Sequence, residues 1–131
     1  MKHSTVIFIS RVSLFVIYFW FGLLKVVGTS SANPLVLNLL QKTLPFITFQ
    51  QFIILFGIFE MVIGIFILLG IFQKLTIFLF VLHMFTTFLP LIFLTEVTWQ
   101  KMWVPTLEGQ YILKNVALVS LFLCVYKKKV F

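Results

Sequence analysis

The chain has 131 residues, of which 62% are hydrophobic and 10% charged, and its net charge is +7. A soluble domain carries about a quarter charged residues, so this composition excludes one and fits an integral membrane protein with room for four spans. The positive residues flank the apolar runs and form no patch, which excludes nucleic acid as a partner and points to anionic lipid headgroups.

Residues 5 to 27, TVIFISRVSLFVIYFWFGLLKVV, form the first apolar run. It is interrupted by Arg11 and is longer than the roughly 7–15 residues of a signal-peptide apolar region, so it is read as a retained span. Arg11, Tyr18, Gly22 and Lys25 fall at helical offsets that place them on one narrow stripe, with Trp20 on another side. Residues 28 to 45 then make a polar turn and a short amphipathic stretch. Asn33 and Pro34 suit a helix start, Pro45 suits its end, and a short interfacial helix is expected between spans 1 and 2.

Span 2 is expected over 46–69. Its core, FIILFGIFEMVIGIFILL, holds a single charge, Glu60, with Gly57 and Gly64 on the same face. A tight turn at 70–74 leads to span 3 over 75–93, where Thr76, His83, Thr87 and Pro90 share a face. Pro90 is expected to kink the outer end, with threonine hydroxyls capping the carbonyls it frees. Residues 94 to 108 form a second long loop in which Trp99 and Trp103 read as interfacial anchors. Span 4 is expected over 109–126, with Lys114 near its start. The whole reads as one all-α domain over 1–131, a transmembrane four-helix bundle. By the positive-inside rule both termini and the turn at Lys74 are cytoplasmic.

An ionisable group inside a membrane is costly and marks a functional hypothesis by default. Counting along each span puts Arg11, Glu60 and His83 at overlapping depths, roughly 9–15 Å from the inner end at 1.5 Å per residue. They are expected to form one polar cluster. One reading is a structural Arg11–Glu60 ion pair that fixes helix register. The other is a site for a polar headgroup, such as a quinone carbonyl, or a proton relay through Glu60 and His83. Lys25 and Lys114 fall near the outer ends, closer to Glu108. They read as snorkelling lysines, or as an anion site at the outer rim. Tyr18 and the glycines read as packing residues. The single cysteine, Cys124, rules out an internal disulfide or a Cys-x-x-Cys pair and reads as a buried packing residue. No metal-ligand cluster is present in the sequence, and no covalent cofactor is expected; a quinone is the non-covalent one the cluster admits.

RVSLFVIYFWFGLLKV, FGIFEMVIGIFILLG and EGQYILKNVALVS together resemble the DoxX-like superfamily of small four-helix bacterial membrane proteins. The shared pattern is an Arg (Arg11), a G-x-x-K closing span 1 (Gly22, Lys25), a G-x-x-E in span 2 (Gly57, Glu60) and a G-x-Y-x-x-K-N opening span 4 (Gly109, Tyr111, Lys114, Asn115). With TTFLP in span 3 it is also similar to inner-membrane proteins linked to reactive-chlorine resistance. The resemblance implies a bacterial inner-membrane bundle in a redox or oxidative-stress system, since one branch includes the membrane subunit of a thiosulfate:quinone oxidoreductase. Two other functions stay open. One is a non-catalytic accessory subunit packed against a larger membrane-protein partner or a second copy. The other is a small proton-coupled transporter.

Overall fold

A computed structural model describes residues 2–130. The chain is helical almost throughout, and four helical segments are long and apolar enough to cross a membrane: His3–Val26, Phe49–Leu69, Gln73–Phe93 and Leu107–Lys128. Such a length of apolar chain is stable in lipid only when its backbone groups bond internally, as a helix allows. The protein is therefore a multi-pass, all-α membrane bundle.

The helices are α1 (His3–Val26), α2 (Asn33–Thr43), α3 (Phe49–Leu69), α4 (Gln73–Phe88), α5 (Pro90–Phe93), α6 (Thr95–Thr98), α7 (Leu107–Leu113), α8 (Asn115–Val125) and α9 (Lys127–Val130). α1 packs chiefly along α3, antiparallel to it, and more lightly on α8, while α4 packs on α3. Leu14 and Tyr18 of α1, Ile63 and Ile67 of α3, Phe80 and Met84 of α4, and Phe122 and Tyr126 at the far end of the fourth span make the central core. Within it Phe80 and Phe122 stack at 3.8 Å between ring centroids, 2° from parallel.

The α3–α4 turn depends on backbone with positive φ. Gly70 caps α3 at φ +67, where a side chain would be strained, and its N–H donates to the Phe66 carbonyl. Phe72 follows at φ +48. His3, Gln73, Lys127 and Lys128 line one cleft, so the start of α1, the start of α4 and the end of the fourth span meet at the same end of the bundle.

The connections at the opposite end are more structured than the sequence indicates. A short helix, α2, lies between the first two spans, but Asn33 is already its first residue and Ala32 its cap, so Asn33 is not the N-cap; its Oδ1 is buried with no hydrogen-bond partner among the described residues. Lys42 near the end of α2 reaches across to Glu96 Oε1 at 2.6 Å and to the Phe93 carbonyl at 3.3 Å. The third span breaks at Pro90. Thr86 and Thr87 both donate to the His83 carbonyl, at 2.7 and 2.9 Å, and not to carbonyls released by the proline. Residues 99–105, expected as loop, form a two-stranded hairpin of β1 (Trp99–Lys101) and β2 (Val104–Pro105), with Trp103 at φ +66 in its turn. The Trp99 indole N–H donates to the Leu91 carbonyl, pinning the hairpin to α5. Thr106 caps α7 by accepting from the Gly109 N–H, which fixes where the fourth span begins. That span is not continuous, since it steps at Lys114 between α7 and α8.

Candidate functional site

The site begins with two glycines. A Cβ placed on Gly22 would lie 2.5 Å from the Gly57 carbonyl oxygen and 3.0 Å from the Glu60 Cβ. A Cβ placed on Gly57 would lie 2.5 Å from the Gly22 carbonyl oxygen and 3.0 Å from the Lys25 Cβ. The relation is reciprocal. Each glycine stands one helical turn before an ionisable residue, and each makes room for the ionisable residue of the other helix. Because α1 and α3 are antiparallel, G-x-x-K on one and G-x-x-E on the other bring Lys25 and Glu60 face to face. Gly64 continues the contact against Tyr18 and Phe19. Small residues let helices approach closely in a membrane, where no hydrophobic force draws them together.

Lys25 Nζ lies 2.8 Å from Glu60 Oε1. Lys25 is 7% exposed and Glu60 4%, so both charges are inside the bundle. The lysine approaches closely, yet Oε1 has no hydrogen-bond donor in aligned geometry among the described residues. His83 Nε2 stands 3.9 Å from the same oxygen, beyond hydrogen-bond reach. The other ring nitrogen, Nδ1, is 3.0 Å from the Tyr18 hydroxyl. That hydrogen bond ties the imidazole to the phenol and turns its other nitrogen, Nε2, towards Glu60. Tyr18 is 2% and His83 8% exposed. Phe56 stacks on the imidazole with 5.4 Å between centroids and also lies beneath Lys25 Nζ at 5.8 Å. Phe59 closes another side of the histidine.

Three helices thus contribute a continuous set of polar groups, Lys25, Glu60, His83 and Tyr18, enclosed by aromatic rings. Their chemistry suits proton holding and transfer. It offers a carboxylate, an imidazole, a phenol hydrogen-bonded to that imidazole, and a cation. Among the described residues no group of three or more His, Cys, Asp or Glu side chains could hold a metal ion.

The structure separates the residues that depth counting grouped. Glu60 and His83 do approach each other, but Arg11 is not with them. Arg11 Nη1 donates to the Ile67 carbonyl at 2.7 Å and to the Tyr126 hydroxyl at 3.4 Å, and the guanidinium lies over the Tyr126 ring. Ile67 is seven residues past Glu60, about 10 Å along the helix at 1.5 Å per residue. An Arg11–Glu60 pair is therefore excluded, and Lys25 is the partner. Nor does Lys25 snorkel to an outer rim with Lys114; Glu60, one turn deeper, draws it inward. Lys114 is exposed at the α7–α8 step, with Nζ 5.3 Å from the centre of the Tyr111 ring. Cys124 is exposed, not buried packing. Tyr18 is the member that sequence reasoning assigned to packing. Its signal was the seven-residue spacing to Lys25, which puts both on one face of α1.

Two clefts are lined by other residues, one at the Arg11 end and one by Phe15, Val16, Phe19, Trp20 and Leu23 on α1. The chain matches no family model, no curated protein and no solved structure.

Proposed function

We propose that the chain is a DoxX-like component of a redox or oxidative-stress system in a bacterial inner membrane, with both termini cytoplasmic and α2 along the outer interface. In this reading Lys25, Glu60, His83 and Tyr18 hold and exchange a proton with a quinone-class ligand. Glu60 Oε1 supports it: it is buried and crowded by a cation and an imidazole, yet without an aligned donor. A buried acceptor normally has its hydrogen bond, and an exception calls for an explanation, of which a catalytic role is one. His83 Nε2, 3.9 Å from the same oxygen, is the second position of the relay in this reading.

The test is binding of a short-chain ubiquinone to the protein in nanodiscs. Glu60→Gln and His83→Ala are each expected to weaken binding about tenfold or more, the equivalent of about 1.5–3 kcal/mol for a hydrogen bond to a charged group. Unchanged affinity in both variants, with the bundle intact, would remove the assignment.

One observation favours the second reading, an accessory subunit without chemistry of its own. Lys25, Glu60 and His83 are all buried inside the bundle. A closed ion pair can serve to fix helix register alone. Under that reading the protein copurifies with a larger membrane partner from its own membrane, and Glu60→Gln is tolerated once the complex has assembled.

A further inference from the structure

We infer that the cleft at the Arg11 end of the bundle binds the phosphate of an anionic phospholipid, with Arg11, Lys127 and Lys128 facing its oxygens. The cleft has a volume of about 480 Å³ and is lined by these three cations, His3 and Gln73, against a wall that includes Ile7 and Val125. Arg11 is level with the α3–α4 turn, since a Cβ on Gly70 would lie 3.4 Å from its Nη1. α1 therefore continues for two turns beyond the end of α3, and the Arg11 guanidinium sits beside the turn that joins the second and third spans. The Arg11 hydrogen bonds to the Ile67 carbonyl and Tyr126 hydroxyl run from Nη1, and a guanidinium has five N–H donors. Its fixed position leaves a planar donor edge for phosphate oxygens, a pairing for which arginine is suited.

Charge accounting points the same way. The chain has three acidic side chains. Glu60 is paired with Lys25, and Glu96 with Lys42 at the opposite end. Glu108 opens the fourth span, 18 residues before Tyr126 and about 27 Å away along a helix. Among the described residues none of the three lines the cleft, so its three cations face no acidic side chain there. The apolar wall and the volume, within the roughly 300–1,000 Å³ of small-molecule sites, exceed what an inorganic phosphate occupies and favour a phosphate that carries acyl chains.

Native mass spectrometry of the detergent-solubilised protein tests this with phosphatidylglycerol, phosphatidylcholine and inorganic phosphate as probes. Phosphatidylglycerol is expected to be retained in preference to phosphatidylcholine. Arg11→Gln is expected to weaken retention about fivefold, and Lys127→Gln with Lys128→Gln more than either alone, from the electrostatic value of each cation near a headgroup. Lys101→Gln, a cation outside the cleft, is expected to change nothing. Equal retention of both lipids, or equal loss from Lys101→Gln, would overturn the proposal. So would displacement of the lipid by millimolar inorganic phosphate, which would make the cleft a site for small anions. Should Arg11→Gln fail to fold, the exposed Lys127 and Lys128 pair decides the matter alone: undiminished retention there overturns it.

Discussion

Lys25 could extend its ammonium to water from the last turn of α1, and yet it is buried against Glu60. Removing one member of a buried ion pair strands the other charge. Lys25→Met alone is therefore expected to destabilise the bundle by about 3–5 kcal/mol, whereas Lys25→Met combined with Glu60→Leu should recover most of that loss. Unfolding of both variants in mixed micelles measures the difference. Equal destabilisation by the single and the double change would mean that the charges do not sense each other. Tyr18→Phe keeps the ring but takes away the hydroxyl at His83 Nδ1. It is expected to cost about 1–3 kcal/mol, the penalty for a buried group left without its partner, and to free the imidazole tautomer. The ¹⁵N shifts of His83 report that change directly.

At the scale of elements, the α1–α3 crossing sets everything near the site. Gly22→Ala and Gly57→Ala each place a methyl group against backbone carbonyl oxygen, which cannot rotate away as a side-chain tip can. Each is expected to cost about 1–3 kcal/mol by overpacking. Each should also widen the Lys25–Glu60 separation, so both should weaken ligand binding although neither touches the ligand. Gly28→Ala, in open space but at positive φ, should leave ligand binding unchanged. At the other end Lys42 and Glu96 clasp α2 to α6. The Lys42 hydrogen bond holds the Glu96 carboxyl below the usual carboxylate range. A carboxyl depressed in the folded state contributes stability that is present above its unfolded pKa and is lost as pH falls through the folded one. The clasp is thus expected to be intact at neutral pH and to open only in acid. The pair is exposed, so its contribution is small and sensitive to salt. A ¹³C titration of Glu96 should midpoint below the ordinary glutamate value, and Lys42→Met should move it upward.

For the molecule as a whole, the spans were readable because hydrophobic length alone defines them. Residues 46–69 were expected and Phe49–Leu69 is helical; 75–93 were expected and Gln73–Phe93 is observed. Register between helices was not readable in this way. Arg11 and Glu60 come out equally deep when each is counted from the end of its own span, but α1 overshoots the α3–α4 turn by two turns, which sets Arg11 beside that turn and Lys25 against Glu60. The Gly22–Gly57 contact fixes that offset. Its trace in the sequence was the matching spacing of G-x-x-K and G-x-x-E, which implies a reciprocal antiparallel contact once the two motifs are set against each other. The hairpin at 99–105 left no such trace. Its turn has Met102 and Trp103 where glycine or asparagine would be expected.

The measurement that bears most directly on the buried network is infrared difference spectroscopy of the reconstituted protein on addition of a short-chain ubiquinone. A carboxyl band change that shifts in deuterated water and disappears in Glu60→Gln is expected. No carboxyl change on binding, or the same change in Glu60→Gln, would contradict it and leave Lys25 and Glu60 as a register-fixing pair.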